Sequence, residues 1–411
     1  MIFICLLFHL IQIVKKGNKI LNFINLLYIL IFIGSYWIYV NDEFYQLKLN
    51  TNELSIFSGL VFIFLIILAT FPIRKLSNKD LNIEQIKINK FFLVPFNSVF
   101  LFYLFIAVYV NLFVNNSFSI SNVLNASDIR TGLDFSSDIR LNRSIVQQIE
   151  AKIGLFISKT SFFSLFLFFV SLNDKGIRAY QKILFFSYSL FGMLDSLSIA
   201  GRTQAVYWFI DFSFYTILFW EIFSKRVKYF ISTTLIISLC IGLVVNYFIS
   251  FSRWDSNWSI SNILYLGQAP YYFNDLVLNF ENRDIFLSRV ITPIQIIEPF
   301  NLQQYRDKVL MMNGVDIGIF YFFLGDLIVD LGFIGTIVFL ALLALLMLNL
   351  IINYKRQKQP YLIIVLISFT HILTYGVFYY PFWRLDMFFG TALSIFISKY
   401  LLLNDRRSSK S

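Results

Sequence analysis

Apolar stretches, most of about 18 to 23 residues, recur along the whole chain between short polar gaps. Stretches of that length cross a hydrocarbon core of roughly 30 Å as α-helices. The pattern predicts spans over residues 2–14, 20–40, 54–73, 91–114, 153–172, 183–200, 204–223, 228–250, 326–350, 360–379 and 383–403. The first run is short for a span. Two intervening segments are far longer than the rest. Residues 115–152 are polar and rich in Ser, Asn and Asp, and residues 251–325 mix aromatic and apolar patches such as Trp254, Trp258 and Tyr265. Within the second, Ile285–Ile297 is apolar but broken by Pro293, which suits an interfacial or re-entrant helix. No internal repeat and no linker to a soluble domain is visible. The expected fold is an all-α, polytopic membrane bundle of about 11 helices, a single domain over 1–411 with two large loops on one side.

Composition narrows the class further. The chain has 411 residues, of which 58% are hydrophobic and 50 are Phe, a balance foreign to soluble globules. Basic residues sort by type between the stretches. Every second gap is basic and mostly Lys: Lys15, Lys16 and Lys19; Arg74, Lys75, Lys79, Lys87 and Lys90; Lys175, Arg178 and Lys182; Lys225, Arg226 and Lys228; Lys355, Arg356 and Lys358; Arg406, Arg407 and Lys410. By the positive-inside rule these gaps are cytoplasmic, which puts the N-terminus outside and the C-terminus inside. The net charge of +10 then reflects lysines facing anionic lipid, and no nucleic-acid partner is expected. Charges follow the first apolar run instead of preceding it, so no cleavable signal peptide is expected. Cys5 and Cys240 both lie in apolar runs, and no disulfide is implied.

The opposite gaps hold Arg130, Arg140, Arg143, Arg202, Arg253, Arg283, Arg289, Arg306 and Arg384. One explanation is solvated pairing with loop carboxylates such as Asp128, Asp134, Asp255 and Asp307, which contributes little. The other is an anionic ligand at the outer face, because the guanidinium fork suits phosphate. Arg202 follows Gly201 at the tip of a tight hairpin, with Asp195 and Asp211 lower on the two flanking helices. That arrangement reads either as a clamp neutralising Asp195 or as a contact to a phosphate leaving group.

Asp326 and Asp330, at the outer start of the ninth stretch, are four apart and share a helix face. Such a pair can yield a proton acceptor. Equally, the aspartates can serve the helix start, with Gly332 and Gly335 packing a small-residue contact. His371, in the tenth stretch, reads as a bundle residue or a base, and Arg384 with Asp386 as an interfacial anchor pair. No phosphate loop, metal-ligand cluster or nucleophile elbow is visible, so a soluble nucleotide-binding function is not expected.

These residues resemble the bacterial oligosaccharide repeat-unit polymerases, the O-antigen (Wzy) polymerases. The likeness lies in the many-span, Phe/Ile-rich hydropathy, the Gly201-Arg202 turn and the two large outer loops. It extends to Tyr265-Leu266-Gly267-Gln268-Ala269-Pro270-Tyr271-Tyr272-Phe273-Asn274 and to Gly325…Asp330-Leu331-Gly332…Gly335, where Leu331 replaces the family's aromatic. An Arg followed by ten residues and Gly occurs at Arg143–Gly154; the second loop lacks it, since eleven residues separate Arg306 from Gly318. The resemblance implies transfer of a growing glycan from undecaprenyl pyrophosphate to a new lipid-linked repeat unit, at the outer face of the bacterial cytoplasmic membrane. It implies Arg202, Arg253, Arg289 and Arg306, then Arg130 and Arg143, as pyrophosphate contacts, and Asp326, Asp330, Asp255 or His371 as the base. The resemblance implies no nucleotide sugar, metal or other cofactor, and partners would be the lipid-linked oligosaccharide, the bilayer, and a chain-length regulator and flippase. The rival readings are an O-antigen ligase, another lipid-linked glycosyltransferase of the membrane, and a lipid-linked oligosaccharide flippase.

Overall fold

The computed structural model describes residues 1–14, 18–41, 53–76, 81, 83–110, 153, 157–193, 203–254, 267–279, 311, 322–378, 380–383 and 385–404. In chain order the helices are α1 (Ile2–Val14), α2 (Lys19–Val40), α3 (Ile56–Arg74), α4 (Leu93–Tyr109), α5 (Ser161–Asn173), α6 (Ala179–Ser189), α7 (Thr203–Phe219), α8 (Lys225–Trp254), α9 (Ala269–Asn279), α10 (Phe322–Gln357), α11 (Tyr361–Thr374) and α12 (Leu385–Leu401). Each predicted stretch coincides with one of these helices over most of its length except 183–200, of which α6 covers 183–189. Among the described residues, five helical segments are long and apolar enough to cross a membrane: Lys19–Val40, Ile56–Arg74, Lys90–Tyr109, Thr203–Ile222 and Phe322–Gln357. Their outward faces carry large apolar side chains such as Phe102, Phe105, Leu342 and Ile352, as lipid requires.

One feature departs from an all-helix reading. Ile86–Ile88 (β1) and Leu402–Asn404 (β2) pair antiparallel, with Ile88 opposite Leu402. Alternation decides it: Ile86 and Ile88 are buried while Lys87 between them is exposed, a period of two that no helix face accommodates.

The chain divides into two units. The first holds residues 1–81, 260–357 and 365–388; the second holds 82–259, 358–364 and 389–411. In the first unit Asn18 begins α2 by accepting from the Leu21 N–H at 2.8 Å. Its amide also donates to the carbonyls of Ile73 and Leu76, which fastens the end of α3 to the start of α2. The core of this unit is aromatic: the Phe322 ring lies 5.0 Å from Phe62, 5.8 Å from Tyr28 and 6.0 Å from Phe32. In the second unit Phe166 and Phe169 of α5 interleave with Tyr215 and Phe219 of α7, and the Trp208 indole donates to Ser189 at 3.0 Å. Such edge-on ring pairs pack more tightly than their area suggests, which is where much of the Phe content goes.

α10 does not match the predicted ninth span at its start. Gly332 sits at φ 70°, ψ 177°, a conformation open essentially to glycine alone, and divides the helix in two. Every residue from Phe322 to Leu331 is buried, whereas Ile334, Val338, Leu342, Leu345 and Ile352 beyond the break are exposed. The lipid-facing span therefore begins after Gly332, and the acidic pair belongs to a separate buried segment ahead of it. The bend is demanded by geometry. Phe322 packs on Phe62, and Lys355 reaches the Lys75 carbonyl at 3.4 Å. A straight helix would hold positions 322 and 355 about 50 Å apart, against about 20 Å from 62 to 75 along α3.

Candidate functional site

The buried first segment of α10 positions the two aspartates. Asp326 is 2% exposed and Asp330 is fully buried, and the helical repeat sets both on one face. Opposite them runs the connection between α11 and α12, two 3-10 turns at Tyr375–Val377 and Pro381–Trp383. The Tyr380 N–H donates to Asp326 Oδ2 at 2.6 Å, a charge-assisted bond at the short end of its range. Burial, and then the charge of Asp330, push the Tyr380 phenol above its usual value. That phenol therefore stays protonated at neutral pH and remains a donor beside Asp330.

The connection can come this close because of Gly376. A β-carbon there would fall 2.8 Å from Phe323 Cδ1, so the segment is seated against the residue three before Asp326. His371 is buried and stacks on Tyr375, with ring centroids 4.5 Å apart and planes at 10°. Asp386 is buried in the first turn of α12, where its carboxylate accepts from the Met387 N–H at 2.8 Å; Arg384, its expected partner in an interfacial anchor pair, lies outside the described residues.

Of the predicted site residues, then, Asp326, Asp330 and His371 all fall in the first unit, and the aspartates meet at Tyr380. Arg253 lies in the last turn of the α8 backbone. Arg130, Arg143, Arg202, Arg289, Arg306, Asp255, and Arg384 with the Asp195 hairpin, lie outside the described residues, as do most of the two long loops. Asp211 is buried on α7 in the second unit.

The stretch Gly267–Asn274, read as loop, is largely helix. Gly267 packs on Gly34, where a β-carbon would fall 2.5 Å from the Gly34 carbonyl carbon. Its carbonyl accepts from Ser35 Oγ at 2.7 Å, and the Tyr271 hydroxyl donates to the Ser35 carbonyl at 2.8 Å. Asn274 completes the attachment, donating to the Glu53 carbonyl at 3.1 Å and accepting from the Ser55 N–H at 2.8 Å ahead of α3.

Sequence reasoning missed Tyr380 and Gly376, although the run Tyr375-Gly376-Val377-Phe378-Tyr379-Tyr380-Pro381 is dense in ring and turn residues. It also passed over His9, which is buried against Asn25 (Nδ1 to Oδ1, 2.8 Å) and stacked on Tyr28. Among the described residues no cluster of His, Cys, Asp or Glu is placed to hold a metal ion.

Comparison with protein-family models, with characterised proteins and with solved structures gives no match for this chain. What the described residues establish on their own is an almost wholly helical architecture with the long apolar helices of a membrane protein. Within it, a paired-carboxylate site sits on a broken helix.

Proposed function

We propose that the chain is a polymerase of undecaprenyl-pyrophosphate-linked oligosaccharide repeat units, working at the outer face of the bacterial cytoplasmic membrane. In this reading the eleven predicted stretches span, the N-terminus is outside, the C-terminus is cytoplasmic, and residues 115–152 and 251–325 form the outer loops. The observation that carries it is the acidic pair on the buried segment before Gly332, backed by Tyr380. Carboxylates in apolar surroundings are costly and mark functional sites in membrane proteins. The sugar-bearing hydroxyl of the acceptor loses its proton to one of Asp326 and Asp330 as its oxygen bonds to the anomeric carbon of the donor. The bond from that carbon to the diphosphate oxygen breaks, and the lipid pyrophosphate leaves with the electron pair. Arg202, Arg253, Arg289 and Arg306 are the proposed donors to the charge that develops there, with Arg130 and Arg143 next in order.

A second reading has one specific observation in its favour. A discontinuous helix in a membrane protein is typical of transporters, whose half-helices line the substrate path. Gly332 makes such a break, so a lipid-linked oligosaccharide flippase is the alternative. The two part on a gel of surface polysaccharide from a deletion strain. Single repeat units capping the lipid core support the polymerase; cores bearing no repeat unit point to the flippase or to a ligase. Complementation with Asp330→Asn should then leave single repeats only, and full-length polymer from both Asp326→Asn and Asp330→Asn would sink the proposed base.

A further inference from the structure

We propose that the two-stranded sheet of the second unit assembles a site for the headgroup of an anionic phospholipid, lined by Lys87, Lys90, Lys175, Arg178, Lys358 and Lys399. The site does not depend on the polymerase reading. Attraction of lysines to anionic lipid acts on every basic gap alike. The sheet adds something local, because it brings three of those gaps and the end of α12 to one place. β1 pairs with β2, and Lys87 stands opposite Leu403. The Asn89 N–H donates to the Leu401 carbonyl at 2.7 Å, and the Asn89 side-chain amide donates to the Tyr400 carbonyl at 3.2 Å. With the Phe92 and Tyr400 rings 5.6 Å apart, the segment carrying Lys90 is held against the segment carrying Lys399. The turn between α5 and α6 joins them at Gly176, where a β-carbon would fall 2.7 Å from Lys90 Nζ, and Lys175 and Arg178 flank that glycine. At the far end of β2 the Asn404 amide donates to the Lys358 carbonyl at 3.0 Å.

Charge and surroundings point to the occupant. All six cations are exposed except Lys358, which is half-buried. Among the described residues of segments 83–92, 173–178, 358–360 and 398–404 the only carboxylates are those of Glu84 and Asp174, and Asp174 accepts from the Gly176 N–H at 2.8 Å. Cations gathered in such excess repel one another, and a pair of three-residue strands gains little from its own hydrogen bonds. A phosphate held between them removes the repulsion and ties the segments together. The apolar neighbours decide which phosphate. Lys90 is the first residue of Lys90–Tyr109, a segment long and apolar enough to cross a membrane, and Phe91 just after it is 81% exposed. Phe396 and Leu403 are likewise exposed on either side of Lys399. The cations therefore stand where lipid-facing side chains end, which is the level of headgroups. A phospholipid offers its phosphate to the lysines and its acyl chains to these neighbours; a free anion or an acidic peptide offers only the charge.

The test is fluorescence anisotropy of a tail-labelled phosphatidylglycerol, and of the matching phosphatidylcholine, on the detergent-solubilised full chain. Wild type should bind phosphatidylglycerol at least about tenfold more tightly. Lys87→Gln combined with Lys90→Gln should remove most of that preference. Asn89→Ala, which unties the strand pair and removes no charge, should reduce it about threefold. Lys225→Gln combined with Lys228→Gln, in the gap between α7 and α8 and outside the sheet, should leave it unchanged. Lys90→Gln alone keeps the question answerable if the Lys87, Lys90 variant does not elute as a folded protein. Equal losses in the two double variants would reduce the effect to diffuse attraction and overturn the site, as would equal affinity of wild type for the two lipids. Wild-type preference in Asn89→Ala would show that the sheet does not gather the cations, and overturns it too. Displacement of the bound lipid by inorganic phosphate would identify a free-anion site, and tighter binding of polyglutamate an acidic protein partner; either result removes the lipid from the site.

Discussion

The backbone N–H of Tyr380 donates to Oδ2 of Asp326 across 2.6 Å, joining two positions 54 residues apart in the chain. This bond fixes the connection after α11 onto the buried first segment of α10. It also sets the Tyr380 phenol near Asp330, and most of what can be tested about the site follows from it.

Asp326→Ala leaves that N–H buried without its acceptor, which costs about 1–3 kcal/mol. Asp326→Asn keeps a carbonyl oxygen in place and should cost less than half as much. Thermal unfolding of the two detergent-solubilised variants checks the order; equal losses would show that the bond contributes little.

Tyr380 gives a pH signature. Its phenol is raised in the folded protein, so the contribution is complete below the usual tyrosine value near 10 and is lost as the pH climbs above it. Wild type should therefore lose melting temperature between about pH 9.5 and 11 more steeply than Tyr380→Phe. Parallel curves for the two proteins would refute the assignment.

Gly332→Ala places a side chain at φ 70°, ψ 177°, with an expected cost of about 1–3 kcal/mol. The break also separates the acidic segment from the lipid-facing span. On the proposed polymerase function the variant should therefore lose polymer length in a complementation assay more than Gly335→Ala, whose backbone needs no such conformation.

At Gly376 the contact is with a side chain, and a second substitution can remove it. Gly376→Ala drives a β-carbon into Phe323 and should destabilise by about 1–3 kcal/mol. In a Phe323→Ala background the same change should cost markedly less, and a double-mutant cycle of melting temperatures measures the difference.

The attachment of α9 is testable at Asn274, whose side chain makes two hydrogen bonds to the backbone ahead of α3. Asn274→Ala should lower stability by about 1–3 kcal/mol, and Tyr271→Phe, which loses one bond to the Ser35 carbonyl, by about 1 kcal/mol. Protease protection of the α9 region in membranes reads both.

The sequence by itself determined the helices, because lipid leaves a chain few ways to satisfy its backbone and apolar length announces each one. The stretches at 20–40, 54–73 and 204–223 met their helices within two residues at nearly every end. The spacing of Asp326 and Asp330 was equally legible, since four residues on a helix define a face. What the tertiary structure decided was their setting. Nothing local marks Gly332 as a break rather than a packing glycine; only the need for Phe322 to meet Phe62 while Lys355 meets Lys75 bends the helix there. Likewise Tyr380 looks ordinary along the chain. Tyr380 acquires its chemistry from a carboxylate 54 residues away.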